Sequence, residues 1–238
     1  MTLAILQARM SSRRLPGKVL ADVLGRPMLA RQIERVQRAK RIAQLVVATS
    51  DQRSDDAIAA LCAELGVACF RGSLEDVLGR FYAAAAAEAP RPAHVVRLTG
   101  DCPLADPALI DELVELHLAA GADYTSNALE RRFPDGLDVE AMRFDALAIA
   151  QREARDAAQR EHVTPYLYQH PERFALASLR CERALGALRF TVDQPADLRF
   201  VQRVYEALYP ANPAFGWRDV LALVEGDPAF AAAHGEAR

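Results

Sequence analysis

No phenylalanine, tyrosine or tryptophan precedes Phe70 in a chain of 238 residues. Proteins that hold single-stranded nucleic acid stack bases on aromatic rings, so a basic N-terminal segment without rings points away from that class. The four cysteines, Cys62, Cys69, Cys102 and Cys181, form no CxxC pair, which argues against a zinc site. No uninterrupted run of about 18 apolar residues occurs, so a membrane-spanning helix is not expected. Arg9, Arg13 and Arg14 arrive before any long apolar stretch. A secretory signal is therefore not expected either, and the cytoplasm with reduced thiols is the expected location. GxxxxGK[ST] and GxGxxG are both missing, which excludes a Walker loop and a dinucleotide fingerprint.

What is present is a globular composition. Hydrophobic residues make up 51% of the chain, enough for a substantial core and too many for a disordered chain. The length fits one large α/β domain, expected over 1–227, followed by an Ala-rich tail from 228 to 238 that frays. The net charge of −3 conceals a lopsided distribution. Through Arg41 the chain carries ten Lys or Arg against Asp22 and Glu34, a local balance of +8. An anion is expected to meet this end: a nucleotide phosphate, a nucleic acid or an acidic sugar.

Short apolar runs alternate with helical patterns. Leu3–Leu6, Leu45–Ala48 and Val95–Leu98 read as buried strands. Leu29, Ile33 and Val36 share one helical face, as do Ile58, Leu61, Cys62 and Leu65 before Gly66. Val77, Leu78, Phe81, Tyr82 and Ala85 continue the theme, and Asp106-Pro107 opens a helix with Ile110, Leu113, Val114 and His117 inward, closed by Gly121. Strand–helix alternation of this kind implies a Rossmann-like α/β fold, a mostly parallel mixed sheet with helices on both faces. Its ligand site lies beyond the carboxyl ends of the strands, which brings together 7–18, 50–54 and 99–103. The middle, about 123–187, reads as a small β-containing insertion: extended at 123–126, 137–142 and 174–179, with a charged helix over 153–169. A strand-like 188–192 then precedes a helix opened by Pro195, with Leu198, Val201, Val204 and Leu208 inward.

Gln7 to Lys18 is too long and too basic for a simple turn. It places guanidinium forks, hydroxyls and an ammonium at a strand end, the groups a triphosphate needs. Asp101 follows the Val95–Leu98 strand, and Asp193 precedes the Pro195 helix. Either carboxylate suits a turn or a helix cap as well as a hard cation. Asp138 and Glu140 fall on one side of a strand by period two, and His162 ends a charged segment.

The pattern Arg9-x-x-Ser12-x-Arg14-x-Pro16-x-Lys18, followed by Gly25-Arg26-Pro27-Met28, resembles the N-terminal signature of the cytidylyltransferases that make CMP-activated acidic sugars. The chain to about Tyr209 is most similar to the spore-coat polysaccharide biosynthesis protein F branch. The resemblance implies a nucleotide-diphospho-sugar transferase fold and transfer of a nucleoside monophosphate, from CTP, to an acidic sugar with release of pyrophosphate. It implies Mg²⁺ on Asp101 and Asp193, with Arg9 and Lys18 also catalytic. The nucleotide is placed against Gln7, Ala8, Arg9, Ser12, Arg14, Lys18, Arg71, Ser73 and Thr99, and the sugar against Asp138, Glu140 and His162. It further implies a homodimer joined through the middle insertion. The octulosonate enzymes carry Gln where Thr99 stands and an Arg near Glu75–Asp76, two departures at positions associated with the base. A glycosyltransferase on a similar sheet would carry Asp-x-Asp after a central strand, where this chain has Gly100-Asp101-Cys102. A non-catalytic relative that only binds is the other alternative.

Overall fold

β1 (Thr2–Gln7) directs Leu3 and Ile5 to one face and Ala4 and Leu6 to the other, and all four are fully buried. A strand apolar on both sides belongs at the centre of a covered parallel sheet. In the computed structural model, which describes residues 1–228 and 230, that is its position. A two-stranded ribbon, β2 (Asp22–Val23) and β3 (Arg26–Pro27), leads into α1 (Met28–Val36). β4 (Gln44–Ser50) then pairs with β1 in parallel, and β5 (Ala68–Gly72) extends that side after α2 (Asp56–Glu64). After α3 (Val77–Ala86) the chain crosses back, and β6 (His94–Thr99) pairs with β1 on its other side.

The remaining strands follow α4 (Pro107–Ala120). They are β7 (Tyr124–Ser126), β8 (Glu140–Arg143) and β9 (Leu176–Ser178), and the sheet runs β5-β4-β1-β6-β8-β7-β9. β8 is antiparallel to both β6 and β7, so the sheet is mixed at this end. Apolar residues of α1, α2 and α4 cover one face. The other face is covered by α3, α5 (Phe144–Glu153) and α7 (Pro165–Tyr168). A third cluster gathers α8 (Pro195–Leu208), α9 (Trp217–Gly226) and the loops around Phe133 and Phe190.

One strand was not expected, and three expectations differ from the structure. β5 has no clean alternation and is mostly half-exposed, as an edge strand is, so periodicity missed it. The expected helix over 153–169 is broken: Asp156 caps α6 (Ala157–His162), and Val163 then takes φ +72° before Pro165 starts α7. Residues 188–192 form a single bridge, Asp135 to Arg189, rather than a strand. In α8 the buried stripe is Phe200, Val201, Val204 and Tyr205, with Leu198 and Leu208 half-buried. The expected tail lies outside the described residues except for Pro228 and Phe230; Phe230 is buried against Phe200, with the Arg203 guanidinium over its ring.

Candidate active site

β1 and β6 are neighbours in the sheet, but the chain visits β4 and β5 between them. The crevice beyond their carboxyl ends is therefore the switch point of the sheet, where open α/β folds hold ligands. Gly100 closes the approach of the two strand ends. Its N–H donates to the Gln7 carbonyl at 2.7 Å, and a Cβ there would stand 2.9 Å from that oxygen. The basic loop after β1 is tied down by Asp55. This fully buried carboxylate accepts from the Met10 N–H at 2.8 Å and from the Ser50 N–H and hydroxyl at 3.1 and 2.5 Å.

Lys18, one of two lysines in the chain, turns inward at the end of the loop. Its buried ammonium donates to the Val192 carbonyl at 2.5 Å and lies 3.1 Å from Asp193 and 3.5 Å from Asp101. The loops carrying these carboxylates are stitched together: the Val192 N–H and the Thr191 hydroxyl both donate to the Asp101 carbonyl. Asp197, in the first turn of α8, accepts from the N–H groups of Asp193 and Gln194 at 2.8 Å each and fixes the turn before the helix. Burial would raise the Asp193 carboxyl, but Lys18, Arg14 and Arg189 outweigh it and hold it below the ordinary value. Cys102, buried beside Asp101, is pushed well above an ordinary thiol by burial and stays protonated.

Two adjoining cavities open here. The first, about 380 Å³, takes Gln7, Ala8, Arg9, Ser12, Arg14 and Lys18 from the loop. Thr99, Asp101, His162 and Asp193 line it from the other elements. Arg80, from α3, also lines it. Burial lowers the Arg80 guanidinium and the like charge of Arg9 adds to that, so two arginines face one volume. Gln7 Oε1 and the Nε atoms of Arg80 and Arg97 are buried without a protein partner.

The second cavity, about 490 Å³, shares Arg97, Thr99 and His162 with the first. It adds Asp138, Glu140, Arg131 and Tyr168. His162 is held at the junction by a tight turn, in which the Thr164 N–H donates to the His162 carbonyl at 2.9 Å across the buried, strained Val163.

The structure thus brings ten of the expected site residues around the first cavity, and Asp138 and Glu140 around the second. Two stand elsewhere. Arg71 lies on β5, bound to the Ser50 and Gln52 carbonyls at 3.0 Å and to Asp56 at 2.7 Å. Ser73 lies before α3, its hydroxyl accepting from the Asp76 N–H, while Asp76 caps the helix by accepting from the Gly79 N–H. Glu140 is wholly engaged, pairing with Arg97 and accepting from Tyr124 and Thr164 at 2.5 and 2.6 Å. These contacts hold Arg97 at the wall of the second cavity.

Arg97, Arg80 and Asp55 were not foreseen. A charge inside the apolar β6 run and another on the buried side of α3 were the available signals for the two arginines. Burial lowers Arg97, yet the charge and hydrogen bond of Glu140 more than offset this and raise it.

Fold and site together define a doubly wound α/β protein with a crevice lined by Arg, Lys and Asp side chains at its switch point. Its sequence relations are specific: the chain belongs to the cytidylyltransferase family, whose profile matches residues 3–209. The spore coat polysaccharide biosynthesis protein SpsF of Bacillus subtilis is 37% identical over 213 residues, covering 86% of each chain. A 3-deoxy-manno-octulosonate cytidylyltransferase of Anaeromyxobacter dehalogenans is 36% identical over 64% of this chain and 60% of its own. Among solved structures, a cytidylyltransferase from Leptospira borgpetersenii superposes with a TM-score of 0.90 at 29% identity, over 96% of this chain and 95% of that one. No helix among the described residues is long and apolar enough to cross a membrane.

Proposed function

We propose that this protein transfers a nucleoside monophosphate, from CTP, to an oxygen of a sugar and releases pyrophosphate, in the synthesis of a surface polysaccharide or glycan. The observation that carries the reading is the set of cationic groups at the switch-point crevice, with Arg9 and Arg80 facing one cavity beside two carboxylates bridged by Lys18. The acceptor oxygen forms a bond to the α-phosphorus as the bond from that phosphorus to the β-bridging oxygen breaks. The electron pair leaves with pyrophosphate, and the acceptor's proton, where it has one, passes to solvent.

Asp101 and Asp193 offer hard oxygens within reach of one ammonium, with no third acidic, His or Cys group converging on them among the described residues. This donor set fits Mg²⁺, an ion that binds one or two carboxylates and completes its shell with phosphate oxygens and water. When bound, Mg²⁺ supplies neutralisation of phosphate charge and a more acidic acceptor oxygen. The chain's own part is positioning and charge. Arg9, Arg14 and Lys18 meet the charge that accumulates on pyrophosphate, and each such donor is worth about 3 kcal/mol, roughly a hundredfold in rate. His162 and Arg97 stand where the two substrates meet. The soluble triphosphate pool makes the cytoplasm the site of action, and a homodimer joined through 123–187 completes the proposal, checked by light scattering.

Pyrophosphate release is to be assayed with each of the four ribonucleoside triphosphates and a sugar panel. Release with CTP above the others supports the reading. Turnover of an intact nucleotide sugar without triphosphate would replace it with glycosyl transfer.

A further inference from the structure

Charge is distributed unequally between the two adjoining cavities. The first faces Arg9 and Arg80 toward each other, with Glu161 reaching Arg9 only at 3.9 Å across an exposed gap. In the second, both cationic side chains already have carboxylate partners. Arg97 is paired with Glu140. Arg131 reaches Asp135 at 2.9 Å and Asp138 at 3.3 Å. Two guanidiniums of the second cavity thus stand against two of its own carboxylates, and no cation is left over for an acidic ligand. Burial raises the Asp138 carboxyl, Arg131 opposes this, and a further anion there would meet Asp138 and Glu140.

The rest of the lining suits an uncharged ring. Leu129 and Tyr168 are 38% and 37% exposed, two of the few large apolar side chains left in solvent, and both border this cavity. A pyranose presents an apolar face to such groups and hydroxyls at its rim. The Asp138 side chain, 30% exposed and steadied by Arg131, accepts hydroxyl hydrogens without being free to turn away.

Resting on the nucleotidyl-transfer reading above, we infer that the second cavity takes the acceptor as an uncharged sugar ring, not the acidic sugar that the N-terminal signature suggests. Asp138 is its specificity-determining residue, and Tyr168 and Leu129 form its apolar floor. Arg97 and His162, common to both cavities, stand at the end where the ring's reacting oxygen meets the α-phosphate.

The test uses the full chain with Mg²⁺ and saturating CTP, and measures pyrophosphate release against three arms: hexose and N-acetylhexosamine 1-phosphates, the corresponding free sugars, and 2-keto sugar acids of eight and nine carbons. The expected result is a kcat/KM at least tenfold higher for a free sugar than for any member of either anionic arm, with a hydroxyl as the attacking group. In Asp138→Asn the acceptor KM rises at least tenfold while CTP affinity, measured by calorimetry, is unchanged. Equal or better use of the 1-phosphates or the sugar acids, or an unchanged acceptor KM in Asp138→Asn, overturns the inference. Release with no arm while CTP binds also overturns it and leaves the nucleotide site standing, whereas failure to bind CTP removes the proposed function itself.

Discussion

Replacing Glu140 by Gln removes the charge that Arg97 depends on while keeping the size of the side chain. The pair lines the second cavity, and Arg97 reaches the first as well; with side chains 14% and 10% exposed, solvent screens the pair little. Glu140 also accepts hydrogen bonds from Tyr124 and Thr164, and one amide oxygen cannot serve all three donors. Breaking a buried pair from one side costs about 3–5 kcal/mol, because the remaining charge stays desolvated. Against a typical total of about 5–15 kcal/mol that is a large fraction, and for a chain of this length about 3 kcal/mol lowers Tm by roughly 6–12 °C. Urea unfolding followed by circular dichroism reads the loss directly. Arg97→Met combined with Glu140→Gln should be less destabilised than the sum of the single changes by about 2 kcal/mol or more, since no orphan guanidinium remains. A Glu140→Gln protein within about 0.5 kcal/mol of wild type would refute the buried-pair argument.

Three further outcomes follow from the same reasoning. His117 is buried, bonded to His94 at 3.0 Å and to Thr125 at 2.9 Å, and burial lowers it to about 4 from the ordinary 6.5. Below pH 6.5 the unfolded chain takes up a proton that the folded one refuses, so stability falls by up to about 3 kcal/mol between pH 6.5 and 4; the His117→Gln profile should be flatter there. Asp55→Ala frees the Met10 N–H and should weaken CTP binding at least tenfold and cost about 2–3 kcal/mol in urea unfolding; unchanged CTP affinity would remove Asp55 from the positioning of the loop. Lys18→Ala should lose turnover about a hundredfold and also stability, because Asp101 and Asp193 lose their shared counter-charge; a rate near wild type would sink the role of Lys18.

The central strands were legible because Leu3–Leu6 and Val95–Leu98 are short, apolar on both faces and bounded by polar loops. β5 was not, since an edge strand needs no second buried face. The break at Val163 was invisible because its positive φ comes from tertiary packing and not from a glycine or asparagine. Within the candidate site, loop chemistry pointed to a basic anion loop with two carboxylates whose roles stayed open; the resemblance to the cytidylyltransferase signature made Arg9, Lys18, Asp101 and Asp193 a set, and the structure brings them to one cavity. Period two put Asp138 and Glu140 on one side of a strand, but it could not show that Arg97 pairs with Glu140, since that contact joins two strands. Gly100 and Gly136 carry a related lesson. Each allows a backbone approach that a Cβ would block, Gly136 against Thr191 at 2.3 Å, and neither partner is near in sequence.

The most direct test of the account is CTP-dependent pyrophosphate release by wild type beside Asp101→Asn and Asp193→Asn, with circular dichroism as the check on folding. The account predicts that both variants fold and lose the rate by about a hundredfold or more. Wild-type rates in either folded variant would contradict it.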